Sequence, residues 1–104
     1  MINNVILTGR LTKDAELYVS QSGTNTAFFT LAVDYGKDKE ASFIPCKAFD
    51  GIAQTLIKYT RKGDLIAIVG RLSQRKYTSK DGVNKSVFEV IVNTLELLEA
   101  KKEE

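Results

Sequence analysis

Residues Leu65–Tyr77, LIAIVGRLSQRKY, decide the fold of this chain. The first half, Leu65–Val69, is a short continuous apolar run, which predicts a strand that is largely covered on both faces. Gly70 interrupts the run, as a glycine does at a bulge, at a barrel corner or where two backbones approach closely. The second half adds three cations and a tyrosine: Arg71, Arg75, Lys76 and Tyr77. It predicts either a surface for a polyanion with stackable bases or, alternatively, a solvated strand end beside a hairpin.

The first strand of the chain has a similar pattern. Val5–Leu11, VILTGRL, places Gly-Arg-Leu after an apolar run, as Ile66–Leu72, IAIVGRL, also does. Both segments therefore predict strands that bend at comparable corners of a small barrel, because one short match is too little for a tandem repeat. Arg10 and Arg71 each follow such a bend, which either aims them at a ligand or leaves them as surface charges.

The strand Ser42–Phe49, SFIPCKAF, is the second informative segment. Its alternation turns small apolar residues to one face and places Phe43, Lys47 and Phe49 on the other. A core face rarely contains lysine, so we expect this second face to meet solvent or a ligand. Bases stack on exposed rings at about 1–3 kcal/mol each while cations follow the phosphates, which suits single-stranded nucleic acid. The alternative is that Phe43 and Phe49 pack on a subunit partner or beneath the helix.

The remaining apolar patterns predict an all-β fold. Leu17–Val19 is a short extension, and Ser86–Asn93 is the last strand. Thr26–Asp34 alternates as a strand, with Phe28 on its outward face and a core face formed by Ala27, Phe29, Leu31 and Val33. The order is strand, strand, strand, helix, strand, strand. This order predicts a five-stranded OB-fold Greek-key barrel with one helix between strands 3 and 4.

The helix and the chain end are predicted from local signals. Asp50 is expected to cap a helix that starts at Gly51 and continues to about Tyr59. We expect residues 1–98 to form one OB-fold domain and residues 99–104 to form a short disordered tail.

Composition excludes several classes of function. The 104 residues suffice for one domain with one modest core, and a net charge of +2 is only a weak indication of nucleic acid. The chain has no histidine and a single cysteine, Cys46, which excludes most zinc sites and the common histidine-based nucleophile systems. We therefore expect no cofactor, no metal and a buried structural thiol. No apolar run approaches the ~20 residues of a membrane span and the N-terminus has no secretory pattern, so we predict a cytoplasmic protein without membrane contact.

An enzyme is the weakest of the alternatives. Asp14 with Glu16, or Asp34 with Asp38, could in principle bind Mg²⁺ for phosphodiester hydrolysis. Both pairs lie in turn-like segments, where aspartate is common for reasons of backbone hydrogen bonding. We therefore predict that the chain is not an enzyme and has no catalytic residues.

Taken in order, several segments make the chain resemble a bacterial-type single-stranded DNA-binding protein of the SSB family. The resemblance covers residues 1 to about 98, and the order and spacing of its segments are specific. The segments are Asn3–Leu11, Lys13–Leu17, Ser22-Gly23, Phe29–Val33, Phe43–Phe49, Tyr59–Gly63 and Gly70–Tyr77.

The resemblance implies an OB-fold subunit of a homotetramer that binds single-stranded DNA without sequence preference. It implies a cytoplasmic place at the nucleoid or replication fork, in DNA replication, recombination and repair. The DNA-stacking aromatic residues of the family fall here on Tyr35, Phe43, Phe49 and Tyr77. Its basic contacts fall on Lys62, Arg75 and Lys76, and strand face and proximity add Arg10, Lys47 and Arg71.

The chain also departs from the family pattern. It lacks the proline that commonly follows the aspartate at position 14, and Tyr18-Val19 stands where an Arg-Tyr pair is common, which leaves contacts from this segment unassigned. No tryptophan is present, so we expect a smaller stacking surface for each base. The sequence ends without the Gly/Pro/Gln-rich linker and acidic tip of long members, so it resembles the short ones, and tail-mediated recruitment of replication proteins is not expected. The second hypothesis is an OB-fold adaptor of a primosome or recombination complex that acts mainly through protein contacts.

Overall fold

The computed structural model describes residues 1–37 and 39–99. Within this part the chain forms six strands and one helix. Their bounds are β1 (Val5–Leu11), β2 (Glu16–Val19), β3 (Asn25–Val33), β4 (Ser42–Phe49), α1 (Asp50–Tyr59), β5 (Leu65–Thr78) and β6 (Asn84–Leu97). No helix in the described part is long and apolar enough to cross a lipid bilayer.

Five of the strands close into a ring. The strand order is β1-β5-β6-β4-β3-β2, and β1 pairs with β3 as well as with β5, so the ring is β1-β5-β6-β4-β3 and back to β1. All these pairings are antiparallel except the short one between β4 and β6. The four-residue β2, which the sequence marks as a short extension, pairs with β3 outside the ring. Without β2 the strand count and the position of the helix are as predicted, and the OB-fold class is confirmed.

Side-chain alternation places the core inside this ring. On β3 the buried residues are Ala27, Phe29 and Leu31, and on β4 they are Cys46 and Ala48. Both strands therefore turn to the interior the face that their sequence pattern predicts. From β5, β6 and α1 the core receives further apolar side chains: Ile66, Ile68, Val90, Val92, Ala53 and Leu56.

Cys46 is a core residue, as its apolar neighbours predict. Its side chain is buried within the ring, and its thiol lies 3.4 Å from the carbonyl oxygen of Ile44. Burial, and to a smaller extent the nearby Glu89 carboxylate, raise the pKa of the Cys46 thiol to about 12. The thiol is therefore protonated at neutral pH and acts as a small apolar side chain.

The helix begins one residue earlier than predicted, at Asp50 itself. Asp50 is the first residue of α1, Phe49 occupies the N-cap position, and the cap position makes no side-chain hydrogen bond. The prediction of Asp50 as the cap was wrong because its backbone, at φ 54°, makes the turn into the helix in place of its carboxylate. At the other end the hydroxyl of Thr60 donates to the carbonyl oxygen of Leu56 at 2.6 Å.

Gly70 lies at a bulge between β5 and β6 and at a close approach of two backbones. Both are among the roles that its position in the sequence predicts. Val69 pairs with Thr94 and Gly70 with Val92, so Asn93 is an extra residue on β6. A Cβ atom at position 70 would overlap the carbonyl oxygen of Ile91. Only glycine allows the two backbones to approach this closely.

The end of the described chain is bonded to the ring. The Glu99 carboxylate accepts a hydrogen bond from the Leu65 backbone N–H at 3.0 Å and forms an ion pair with Arg10 at 3.1 Å. The rest of the predicted disordered tail, residues 100–104, lies outside the described residues. The disorder predicted for residues 100–104 therefore stays a prediction, whereas Glu99 makes defined contacts.

Replacing Gly70 by alanine tests the close approach at the bulge. We expect Gly70→Ala to lower the free energy of unfolding by about 1–3 kcal/mol or more, because the neighbouring atoms are backbone and cannot rotate away. The control is Gly51→Ala, since a Cβ at position 51 meets no heavy atom within 4 Å. Urea denaturation followed by circular dichroism measures both, and equal stability of Gly70→Ala and the unchanged protein would contradict the expectation.

Candidate nucleic-acid interface

One outer surface of the ring collects aromatic and basic side chains. It crosses β3, β4, β6 and β5, where register places Phe28 beside Lys47, Lys47 beside Ile91, and Ile91 beside Arg71. Alternation then brings every second residue of these strands to the same side. We call this surface the aromatic face and define it by Phe28, Phe43, Lys47, Phe49, Arg71, Arg75, Tyr77 and Glu89.

The rings on the aromatic face are accessible. Phe43 is 64% exposed, Phe49 is 38% exposed and Tyr77 is 45% exposed. Phe43 and Phe49 stand near opposite ends of β4, six residues and therefore about 20 Å apart. Tyr77 lies near the tip of the β5–β6 hairpin, where it pairs with Lys85. All three rings are thus open to a ligand in the chain as described, and none is sealed in its core.

Lys47 lies at the centre of the aromatic face between two phenylalanine rings. Its ammonium nitrogen is 6.0 Å from the centroid of the Phe28 ring and 5.7 Å from that of Phe49. The same nitrogen forms a 3.1 Å ion pair with Oε1 of Glu89, and the lysine side chain is only 19% exposed. Cation–π attraction and the ion pair together fix the position of a side chain that would otherwise be mobile.

Arg75 links the centre of the aromatic face to the hairpin. Its Nε lies 3.5 Å from Oε1 of Glu89, and its guanidinium carbon lies 5.7 Å from the centroid of the Tyr77 ring. Arg71 is exposed on the same face, and no carboxylate of residues 1–37 or 39–99 lies within 4.0 Å of it. Within the described residues, Arg71 is thus a cation of the aromatic face without an ion pair, whereas Lys47 and Arg75 share the Glu89 carboxylate.

The structure places Lys76 on the other side of the hairpin. Arg75 pairs with Val87 and Tyr77 with Lys85, so Lys76, between them, points away from the aromatic face. It lines a cleft of about 480 Å³ at the hairpin tip, which Tyr77 and Lys85 also line.

The other predicted contacts lie around the aromatic face. Tyr35 is exposed in the loop after β3, and its hydroxyl shares a 2.6 Å hydrogen bond with the Ser42 hydroxyl beside Phe43. Arg10 lies in the same sheet row as Phe43, two strands away, but its guanidinium donates to the Gly63 carbonyl oxygen at 2.8 Å. Lys62 is in the loop between α1 and β5 and is not part of the aromatic face.

Two residues of the aromatic face were missed as site residues by sequence reasoning. Phe28 was assigned to the outward face of its strand, and only the register with Lys47 shows that it completes a pair of rings. Glu89 stands in the apolar run SVFEVIVN, where alternation could have indicated its outward direction, but its burial and ion pairs carry no sequence signal. Phe28, Arg75 and Glu89 line a cleft of about 200 Å³ between β3, β4 and the hairpin.

The carboxylates that could have bound Mg²⁺ have structural partners. Asp14 Oδ1 accepts a hydrogen bond from the backbone N–H of Lys62 at 2.7 Å, and Asp34 Oδ1 accepts one from Gly36 at 2.6 Å. Asp38, the second member of one pair, lies outside the described residues. The Asp34 bond is a local turn of the kind predicted for these aspartates, whereas the Asp14 bond joins two loops that are 48 residues apart in sequence.

Comparisons with known proteins agree with this geometry. The chain matches the model of the single-strand binding protein family over residues 2–98. It is 43% identical over 106 residues to a single-stranded DNA-binding protein of Enterococcus faecalis, which covers 97% of this chain and 56% of the relative. A single-stranded DNA-binding protein 1 of Staphylococcus aureus is also 43% identical over 106 residues, with 97% and 68% covered. The chain thus spans a little over half to about two thirds of the length of these relatives.

Proposed function

The chain belongs to the single-strand binding protein family, and from this membership we propose that it binds single-stranded DNA without sequence preference. The observation that carries the proposal is the aromatic face, on which exposed rings and cations alternate over several strands. We propose that it coats and protects single strands in replication, recombination and repair. Its place would then be the cytoplasm, at the nucleoid or the replication fork.

Two contributions to binding are proposed, the stacking of bases on aromatic rings and the neutralisation of phosphates by cations. Phe43, Phe49 and Tyr77 offer flat apolar surfaces to successive bases, and such surfaces are tolerant of sequence because every base has a π-face. Phe28 adds a fourth ring beside Phe49. Lys47, Arg71 and Arg75 lie on the same face as these rings, and we propose that they neutralise the phosphates of a strand with stacked bases. Tyr35, Arg10, Lys62 and Lys76 are proposed as outer contacts along the continuing path.

We propose binding without catalysis. The family is one of single-strand binding proteins, and the carboxylates of Asp14 and Asp34 each accept a hydrogen bond from a backbone N–H. A strand held by stacking and by ion pairs needs no reacting group, so the chemistry of the aromatic face is sufficient for the proposed function. No cofactor is required for this mode of binding.

We further propose that four chains assemble into a homotetramer. β1 pairs with β5 from Val5 to Arg10, but with β3 only at Arg10 and Leu11, so most of its other edge is open. An open edge with exposed apolar side chains, here Ile2 and Ile6, favours pairing with another chain. Neither residue is one of those that define the aromatic face, although Ile6 pairs with Val69, two residues before Arg71 on β5.

Titration against three nucleic acids tests the proposed function. We expect tight, stoichiometric binding to oligo-dT, with weaker binding to a matched duplex and to RNA of the same length, followed by fluorescence anisotropy. Affinity should fall as salt rises because cations neutralise phosphates, and a salt-resistant part should remain because stacking is not ionic. Weak binding to all three would instead favour the adaptor hypothesis.

Removing single rings tests the stacking role of the aromatic face. We expect Phe43→Ala and Phe49→Ala each to weaken oligo-dT binding by about 1–3 kcal/mol, because each loses one base-stacking surface. The control is Tyr59→Ala, which removes an exposed ring at the far end of α1, about 15 Å of helix away from Phe49. Unchanged affinity in both phenylalanine variants, with assembly preserved, would remove the stacking argument.

Mass in solution tests the proposed assembly. We expect four times the 11.6 kDa of one chain, both without DNA and, after allowance for the bound strand, with a long oligo-dT. Ile6→Glu should lower the mass, because it places a charge beside the open edge of β1. Val83→Glu, at the exposed hairpin turn, should leave it unchanged. A mass of one chain for the unchanged protein would contradict the tetramer.

A further inference from the structure

The aromatic face contains a buried carboxylate at its centre. The Glu89 side chain is only 6% exposed, and its Oε1 lies 3.1 Å from Nζ of Lys47 and 3.5 Å from Nε of Arg75. A buried carboxylate is costly unless cations compensate it, and here two cations do so. The three side chains together carry a net charge of +1 in place of the +2 that the two cations alone would supply.

The location of Glu89 matters because its partners are both proposed DNA contacts. A phosphate that binds Lys47 or Arg75 must share that cation with Glu89 or displace it. Burial strengthens the competition, because the carboxylate is less well solvated than an exposed one and solvent screens it less. Glu89 is thus an anion already present on a surface that is proposed to bind a polyanion.

Resting on the proposed function, we infer that Glu89 is an internal counter-charge that competes with the phosphates of a bound strand. It positions Lys47 between Phe28 and Phe49, and it lowers the electrostatic share of binding in favour of stacking. A strand held in this way is released more easily and depends less on salt than the number of cations on the face would indicate. Glu89 acts through Lys47 and Arg75 and is therefore a positioning residue.

The ion pair with Glu89 also fixes the position of Lys47 beside the two phenylalanine rings. Its ammonium lies at nearly equal distances from two ring centroids, and the ion pair with Glu89 holds it there. Phe28 and Phe49 are each 38% exposed, so both rings keep an accessible part for a base although the lysine contacts them. Weaker phosphate binding is therefore coupled to a pre-organised stacking surface.

The main test replaces Glu89 by its neutral isostere and measures the salt dependence of oligo-dT binding. We expect Glu89→Gln to bind more tightly at low salt, to dissociate more slowly, and to steepen the slope of log K against log salt by about 0.7, the value for one more neutralised phosphate on a single strand. The control is Glu96→Gln, which removes the same charge from an exposed position beyond the bulge on β6. That control should change the slope far less, because position 96 is more than a Debye length from position 89.

The outcomes separate the inference from the proposed function. If the unchanged protein does not bind oligo-dT, the proposed function fails. If it binds and a folded Glu89→Gln variant shows an unchanged slope, or weaker binding with an unchanged slope, Glu89 has only a structural role and the inference is overturned. Circular dichroism verifies the fold of each variant.

A second comparison remains decisive even if Glu89→Gln does not fold. Lys47→Met alone should flatten the salt slope by about 0.7, whereas the double variant Lys47→Met with Glu89→Met should restore the slope of the unchanged protein, because it removes one charge of each sign. Replacing a buried ion pair by apolar residues often preserves stability. A double variant with a slope as flat as that of Lys47→Met would show that Glu89 does not compete, and would overturn the inference.

Discussion

The close approach of Gly70 to the backbone of Ile91 is the constraint on which the rest of the structure depends. It accompanies an extra residue, Asn93, and a one-residue slip in a strand pair exchanges the two faces of the slipped strand. Val92 before the bulge and Leu95 after it can therefore both turn to the interior. The same strand pair consequently closes the core at one end and continues as a two-stranded hairpin at the other.

The aromatic face follows from this arrangement because it is the outer side of the same strands that line the core. Cys46 and Lys47, neighbours on β4, illustrate the relation. The Cys46 side chain is buried inside the ring of strands, and the Lys47 side chain lies outside it, between the aromatic rings of Phe28 and Phe49. The thiol and the Glu89 carboxylate also interact through the sheet, since Glu89 contributes to the raised pKa of Cys46. Core and ligand surface therefore share one set of strands, and a change of register would alter both.

Sequence reasoning was sufficient where alternation alone decides the direction of a side chain. It predicted the inward faces of β3 and β4 and the outward rings Phe43 and Phe49, because period-2 patterns with a lysine on one face have few interpretations. It did not assign Lys76 to the opposite side of β5 from Arg75 and Tyr77, because the three residues were treated as one cluster. Alternation along the strand would have been sufficient to distinguish them. The partners of Lys47 could not be predicted, because the pairing of β4 with β6 joins residues that are distant in sequence. The start of α1 was missed for a local reason: a left-handed aspartate is rarely distinguished from a capping one by sequence.

The length of the β5–β6 hairpin beyond its bulge has a geometric consequence. From Gly70 to Tyr77 there are seven steps of an extended strand, a lever arm of about 24 Å that is anchored at one close-packed base. A tilt of about 5° at that base displaces the ring of Tyr77 by about 2 Å over such a length. Phe43 and Phe49 are on β4, whereas Tyr77 is on the hairpin. Such a tilt would therefore change the distance between Tyr77 and the two phenylalanine rings.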